Sequence, residues 1–152
     1  MAPIINDVAT DLVNPPEFVK NKPLPDAFKP QIFQAYKTEL QPLKLEATKQ
    51  AAFEACQAAC KRMQRWTLTR EDPAEGMIQG YAVTGLLRFT DDFVIRVTED
   101  GTTARVDMRS KSRLGKGDLG ANAARIRAYL QDLASNAGCT TEWLPLQEAS
   151  SS

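Results

Sequence analysis

Apolar and polar residues alternate along two neighbouring stretches of the chain, Phe93–Glu99 and Thr102–Arg113. A period of two predicts strands with one buried face, and the Asp100-Gly101 step between them is typical of a two-residue hairpin turn. Such a turn fixes the register of the two strands. The predicted pairs are Val97 with Ala104, Ile95 with Val106 and Phe93 with Met108 on the apolar face, and Asp92 with Arg109 as an ion pair on the other face.

Two segments carry apolar residues at helical spacing instead, about Lys49–Gln64, which follows the N-cap residue Thr48, and about Ala121–Ser135. Three more segments are typical of strands, namely Leu43–Ala47, Trp66–Arg70 and Met77–Phe89. The predicted order is therefore β-α-β-β-β-β-α. This order indicates an α+β fold, in which an antiparallel sheet of about five strands has helices packed on one face.

Prolines are concentrated at the start of the chain, with seven of the nine in residues 1–42. Proline lacks a backbone donor and biases the preceding residue toward extended conformations. We therefore predict an extended proline-rich arm over residues 1–42, with one or two helical turns near Gln31–Glu39. Its apolar side chains favour packing on its own domain, and docking on a partner is the alternative. Residues 43–136 then form the α+β domain and residues 137–152 a polar C-terminal tail.

Length and composition indicate one globular domain, with 152 residues of which 43% are hydrophobic and 25% charged. The net charge is zero, so the molecule as a whole has no attraction to nucleic acid or to an anionic membrane. Tyr81, Phe89 and Phe93 are assigned to the core, which leaves no aromatic residues to stack on bases beside the basic strand. No apolar run reaches the length of a transmembrane segment. The compartment and the oligomeric state stay open.

The chain contains no histidine, which removes histidine-based catalysis and histidine metal ligands. Its cysteines, Cys56, Cys60 and Cys139, are odd in number and form no Cys-x-x-Cys motif. This pattern predicts neither a disulfide framework nor a zinc site. We interpret Cys56 and Cys60 as small core residues of the first long helix. No metal and no cofactor are expected, and the redox state of the three thiols is left open.

Positive charge is concentrated between Gly101 and Asn136, where seven cations and three anions give a net charge of +4. Five charged residues share one face of the last predicted strand, namely Arg105, Asp107, Arg109, Lys111 and Arg113. Ser110 and Ser112 point to the opposite face. The favoured interpretation is a solvated sheet face with arginine–carboxylate pairs. The alternative is a surface for an anionic ligand or an acidic partner, because guanidinium groups suit carboxylates and phosphates.

A glycine-rich loop, Gly115-Lys116-Gly117-Asp118-Leu119-Gly120, joins that strand to the last helix. It matches the dinucleotide-binding pattern in letters only, because no further strand follows the helix to complete a βαβ unit. A structural interpretation takes the glycines as a tight turn, with Asp118 or Asn122 as the helix cap. A functional interpretation places an anion at the helix N-terminus, assisted by Lys116 and Arg113.

The residues of this region resemble a known family. Residues 89–92 (Phe-Thr-Asp-Asp) and the run over residues 106–127, from Val-Asp-Met-Arg-Ser-Lys-Ser-Arg onwards, look like the hallmark of the domain of unknown function 1499 family. Ile5–Asp11, followed by Pro15 and Pro16, resembles the opening of bacterial members, so the resemblance covers roughly residues 5–135. The matching motif positions are Asp91, Asp92, Asp107, Arg109, Ser110, Ser112, Arg113, Gly115, Asp118, Gly120, Asn122, Arg125 and Ile126.

What the resemblance implies is modest. The family occurs in bacteria and plastid-bearing organisms, and it has no assigned activity. Many members carry an N-terminal membrane or targeting segment. If such a segment has been removed here, a plastid or a periplasmic or membrane-associated location would fit. The resemblance leaves open whether the motif positions bind a ligand or form a buried polar network that ties loop, strand and helix together.

Two functional hypotheses follow. The first is a non-enzymatic binding or accessory subunit that contacts an anionic ligand or a protein partner through the arginine-rich strand and the glycine loop. The candidate binding residues are Asp92, Arg109, Ser110, Arg113, Gly115, Gly117, Asp118, Asn122 and Arg125. The second is an enzyme for an anionic small molecule, with Arg109 and Arg113 as a clamp and Asp118 or Asp92 as acid or base. No catalytic set is recognised from the residues.

Overall fold

The computed structural model describes residues 2–20 and 22–150. This part of the chain forms an α+β protein with seven strands and three helices, which confirms the predicted fold class. The elements are β1 (Asp7–Ala9), α1 (Phe28–Tyr36), β2 (Leu43–Leu45), α2 (Lys49–Arg62), β3 (Trp66–Asp72), β4 (Met77–Val83), β5 (Thr90–Asp100), β6 (Thr103–Ser112), α3 (Ala121–Asn136) and β7 (Thr141–Trp143).

Strand β6 lies at the centre of the antiparallel sheet, whose order is β3-β4-β5-β6-β2-β7. One edge of β6 pairs with β5 along its whole length. The other edge is shared, because β2 pairs with residues 104–106 and β1 pairs with residues 109–111. The two strands beyond the predicted five, β1 and β7, therefore come from the arm and the C-terminal tail. The arm also contains α1, which begins three residues before the predicted helical turns.

The hairpin between β5 and β6 has a different register from the predicted one. Asp100 pairs with Thr103, so the two turn residues are Gly101 and Thr102 rather than Asp100 and Gly101. Gly101 has φ +62° at the first central position, as a type II′ turn requires. The shift moves Val97 opposite Val106 and Ile95 opposite Met108, and the apolar face is preserved because each strand keeps its parity. Asp92 faces Lys111 instead of Arg109, so the predicted Asp92–Arg109 pair is wrong.

Helices α2 and α3 confirm the helical pattern and pack on the apolar face of the sheet. The Thr48 hydroxyl accepts the Ala51 N–H at 3.1 Å at the start of α2, as predicted for an N-cap. Along α3 the stripe of Ile126, Tyr129, Leu130 and Leu133 is fully buried. Aromatic rings join the two layers, since the Trp66 ring lies 4.2 Å from Phe93 of the sheet and 5.3 Å from Tyr129 of the helix.

Strand β4 ends at Val83, six residues earlier than predicted. Residues 84–89 form a loop, and Phe89 is 52% exposed rather than part of the core. Leu86 and Leu87 in the same loop are also exposed. The alternation that assigned Leu87 and Phe89 to a buried face therefore does not continue into this loop. The loop lies beside the glycine-rich connection between β6 and α3, so it becomes part of the candidate site.

Candidate functional site

Alternate residues of β6 face two different layers of the molecule. Its odd-numbered residues face the N-terminal arm, and its even-numbered residues face helix α3. The expected solvated face is wrong: Asp107 and Arg109 are 0% exposed, because the arm lies over them through Thr10, Pro16, Phe18 and Lys22. The arginine–carboxylate pairs expected there are present, but they are buried beneath the arm.

Arg109 is fixed entirely by the arm. Its Nε and Nη2 donate to the two carboxylate oxygens of Asp7 at 2.9 and 2.7 Å. Its Nη1 and Nη2 also donate to the backbone carbonyls of Pro16 at 3.2 Å and Lys22 at 2.9 Å, and its guanidinium lies 4.7 Å above the Phe18 ring. A guanidinium satisfied in this way has no donor directed at solvent, so Arg109 stabilises the arm and is not placed to contact a ligand.

A second carboxylate cluster continues the layer under the arm. The Thr10 hydroxyl donates to Asp107 at 2.7 Å, and the Arg105 Nε donates to the same carboxylate at 2.8 Å. Arg96 bridges to Asp11 of the arm at 2.8 Å. Each buried charge thus has an opposite charge and a hydrogen-bond partner, which is the condition for burying ions at tolerable cost. These contacts hold the arm against the sheet.

The even-numbered residues of β6 form a polar network with α3. The Ser110 hydroxyl donates to Asn122 Oδ1 at 2.6 Å, and Asn122 Nδ2 donates to the Ser112 hydroxyl at 2.9 Å. Arg125 donates to both Ser110 and Asn122 and pairs with Asp91 at 2.8 Å. Asn122 is fully buried, so these bonds satisfy groups that would otherwise be costly. These motif residues therefore form a buried polar network. Such a network was the structural alternative to a ligand site that the family resemblance left open.

Asp118 organises the glycine-rich loop at the start of α3. Its carboxylate accepts the Gly120 N–H at 2.7 Å, the Asn122 N–H at 3.3 Å and Asn122 Nδ2 at 2.7 Å. Gly120 occupies the N-cap position with φ +83°. Asp118 lies two residues before this position, and its carboxylate provides the predicted capping of the helix. The anion expected at this helix N-terminus is therefore the protein's own carboxylate. Asn6 anchors the other end of the loop by donating to the Gly115 carbonyl at 2.7 Å.

Asp92 and Arg113 form an exposed pair on the arm-facing side of the sheet. Arg113 donates to both Asp92 oxygens at 2.8–3.1 Å, and this hydrogen bonding raises the pKa of the guanidinium above its ordinary value. Its guanidinium also lies 5.1 Å above the Tyr81 ring. Arg113 is thus the one arginine of the proposed clamp that is accessible to a ligand.

The nine candidate residues therefore fall into three groups. Ser110, Asp118, Asn122 and Arg125 come together in the helix-side network, with Gly115 and Gly117 in the loop beside it. Asp92 and Arg113 lie on the other side of the sheet. Arg109 is buried under the arm. Arg109 and Arg113 do not form a clamp around a common space, and Asp118 is committed to the helix start.

An open cavity of about 710 Å³ lies beside Arg113, between the sheet and residues 18–20 and 22 of the arm. We call it the basic cavity, because five cations and one carboxylate line it: Lys20, Lys22, Arg70, Lys111, Arg113 and Asp92. The two lysines from the arm are residues that sequence reasoning missed. Their signal was a pair of cations inside a proline-rich arm already predicted to pack on the domain.

A second cavity of about 410 Å³ lies at the end of the sheet, between the loops of residues 84–89 and 113–120. Its walls include Leu86, Leu87, Phe89, Leu114 and Leu119. All five are exposed, and we call them the two-loop surface. Asp91, Ser112 and Asp118 also line this cavity. Sequence reasoning missed this surface, although adjacent leucines beside Gly85 were a visible signal.

None of the three cysteines lines either cavity. Burial raises the pKa of the Cys56 and Cys60 thiols to about 12, so both stay protonated near neutral pH. In residues 2–20 and 22–150, no group of three or more His, Cys, Asp or Glu side chains is placed to hold a metal ion. None of the helices in this part of the chain combines the length and hydropathy needed to cross a membrane.

Fold and site together define an α+β protein whose central basic strand fastens an N-terminal arm on one side and a glycine-rich loop and helix on the other. The chain belongs to the family described as Protein of unknown function (DUF1499), whose model matches residues 7–133. This confirms the resemblance found in the motif. None of the curated proteins matches the sequence.

Two solved structures show distant similarity of shape. The Zhui aromatase/cyclase from Streptomyces sp. R1128 has 14% identity and a TM-score of 0.37, covering 63% of this chain and 82% of that one. A conserved protein from Geobacillus kaustophilus has 9% identity and a TM-score of 0.31, covering 67% of this chain and 97% of that one. At these values the likeness is a partial one of fold.

Proposed function

We propose that this protein is a non-enzymatic binding or accessory protein that holds an anionic ligand in the basic cavity. The observation that supports the proposal is the composition of the cavity wall, in which five cations face one carboxylate. Clefts lined by one sign of charge concentrate ligands of the opposite sign. The proposal keeps Arg113 from the sequence-based site and replaces Arg109 with Lys20, Lys22 and Lys111.

The cations of this wall differ in how far they are already neutralised. Arg70 pairs with Asp72 at 3.1 Å and Arg113 with Asp92 at 2.8 Å. Within residues 2–20 and 22–150, no carboxylate lies within ion-pair distance of the ammonium groups of Lys20, Lys22 or Lys111. Three ammonium groups around one open space therefore suit a multivalent anion such as a phosphate or a polycarboxylate.

The arm sets the shape of this cavity. The Gln79 side-chain oxygen accepts the Val19 N–H at 3.0 Å, which ties the arm to β4. Arg109 holds the arm from the other side through the Lys22 carbonyl at 2.9 Å. The backbone on both sides of the arm lysines is therefore anchored, so Arg109 supports the cavity by positioning its wall.

Calorimetric titration with inorganic phosphate and pyrophosphate tests the proposal. We expect pyrophosphate to bind, and to bind at least about tenfold more weakly to the Lys22→Gln/Lys111→Gln variant. Tenfold corresponds to about 1.4 kcal/mol, near the value of one hydrogen bond to a charged group. Lys37→Gln/Lys61→Gln is the matched control, because it removes the same charge from exposed positions outside the cavity. Absence of binding by the wild type, or an equal loss in both variants, contradicts the proposal.

A further inference from the structure

Exposed apolar residues are concentrated at one end of the molecule. In residues 2–20 and 22–150, eight large hydrophobic side chains are exposed, and six of them cluster at the glycine-rich end of the sheet. Five belong to the two-loop surface, and Ile4 packs against Gly117 beside it. Proteins that act as isolated molecules seldom expose contiguous apolar patches, and such patches mark interaction surfaces.

The leucines of this surface project outward and do not close over the cavity between them. Leu86 is 93% exposed and Leu119 is 94% exposed. A small ligand within the cavity would leave these side chains in water, so the exposure suits a partner that extends across both loops. Leu119 also has φ +53°, a conformation that is uncommon for a residue with a Cβ. Its side chain is not buried, so packing does not explain why a leucine occupies this strained position.

The exposed charges of the two loops beside this surface are cationic. Arg88 and Lys116 are exposed in the same two loops, whereas Arg113 pairs with Asp92 on the arm-facing side of the sheet. Two carboxylates line the cavity between these loops, and both are occupied: Asp91 pairs with Arg125 at 2.8 Å, and Asp118 accepts the N–H groups at the start of α3. Apolar side chains flanked by cations are the combination that binds the interface of an anionic bilayer, with the leucines entering the acyl region and the cations meeting the headgroups.

We propose that the two-loop surface docks on an anionic membrane surface. A second copy of the chain is a poorer fit, because a two-fold contact through the same patch would bring the cations of both copies together. The proposal does not depend on anion binding in the basic cavity, since its leucines and cations are different side chains, and Ser112 is the one residue that lines both cavities.

Vesicle sedimentation with the full chain tests this inference. We expect binding to vesicles of phosphatidylcholine with phosphatidylserine and much weaker binding to phosphatidylcholine alone. The Leu86→Ser/Leu87→Ser/Leu119→Ser variant should lose at least about tenfold in affinity for the anionic vesicles, because apolar area entering the bilayer drives binding. Val13→Ser is the control, since Val13 is an exposed hydrophobic residue outside both the cluster and the basic cavity. Its binding should stay within about twofold of the wild type.

Three results would overturn the inference. The first is absence of wild-type binding to the anionic vesicles. The second is loss of vesicle binding in Lys22→Gln/Lys111→Gln but not in the leucine variant, which would assign the lipid headgroup to the basic cavity. The third is a wild-type dimer in light scattering that the leucine variant converts to a monomer, which would make a second copy the occupant. Circular dichroism and thermal melting should be unchanged in the leucine variant, because all three side chains are exposed.

Discussion

The two sides of strand β6 bury polar groups in different ways. On the arm side the buried groups are full charges, with Arg109 against Asp7 and Asp107 against Arg105. On the helix side they are mainly the neutral hydroxyls and amide of Ser110, Ser112 and Asn122. A buried ion that loses its partner is far more costly than a neutral group that loses one hydrogen bond. One short motif therefore serves two structural tasks: it holds the arm on one side of β6 and the helix on the other. The motif residues that remain exposed are the ones available for binding.

Breaking the arm side should have the largest effect. We expect Arg109→Met to lower the free energy of unfolding by about 3–5 kcal/mol, because Asp7 is left as an uncompensated buried charge. Urea denaturation measures this change. Arg62→Met is the control, since the Arg62–Asp132 pair is at the surface and should cost less than about 1 kcal/mol. If the two variants lost the same stability, the buried Arg109–Asp7 pair would contribute no more than the exposed Arg62–Asp132 pair, and the contrast between them would be wrong.

Breaking the helix side should cost less. Asn122→Ala leaves the Ser110 and Ser112 hydroxyls without their partner and should destabilise the protein by about 1–3 kcal/mol. Thermal or urea unfolding of this variant should be compared with that of Asn136→Ala, whose hydrogen bond to the Asp132 carbonyl is exposed. A loss for Asn122→Ala as large as that for Arg109→Met would remove the contrast between charged and neutral burial.

Alkaline pH should act on the helix side. Burial raises the pKa of Cys56 and Cys60 from 9.0 to about 12, so between these values the unfolded chain has lost thiol protons that the folded protein keeps. Stability is therefore fully present below pH 9 and falls as pH rises toward 12, by about 1.4 kcal/mol per pH unit for each thiol. Urea unfolding under reducing conditions should show this slope. A Cys56→Ala/Cys60→Ala variant should show a shallower slope, and an unchanged slope would exclude the thiols as its source.

Removing the exposed pair should have the smallest effect on stability. Arg113→Gln should change the free energy of unfolding by less than about 1 kcal/mol, because the Arg113–Asp92 pair is half exposed. The same variant should weaken pyrophosphate binding in calorimetry if the basic cavity holds the anion. A large loss of stability would place Arg113 with the structural residues of the motif.

The sequence alone was sufficient for the central layers of the fold. The period of two in β5 and β6, and the stripe of Ile126, Tyr129 and Leu133, assigned the apolar faces correctly because many residues repeat the same signal. Strands β1 and β7 were missed because their three residues do not belong to a longer alternating run, as the three residues of β2 do. The predicted hairpin register was wrong because the apolar pattern does not distinguish the two possible turns. A turn at Asp100-Gly101 and a turn at Gly101-Thr102 both keep the apolar residues of the two strands on one face.

The candidate site was harder to predict for a physical reason. Alternation places Arg109 on one face of a sheet, but it does not say what covers that face. The cover comes from Asp7, Pro16 and Lys22, about a hundred residues earlier in the chain. The motif therefore identified residues that matter to the structure, while the lysines of the basic cavity and the leucines of the two-loop surface lay outside it.

The fastening of the arm by Arg109 has a consequence for how the molecule is made. Asp7 and Arg109 are separated by 102 positions, so the arm leaves the ribosome long before its partner strand exists. Contacts so distant along the chain form late and slow folding. We therefore expect arm docking to be the closing step of folding, during which Asp7, Asp11 and the basic strand are briefly open to water and to proteases. A change that weakens Arg109 would lengthen that interval and lower the yield of protein.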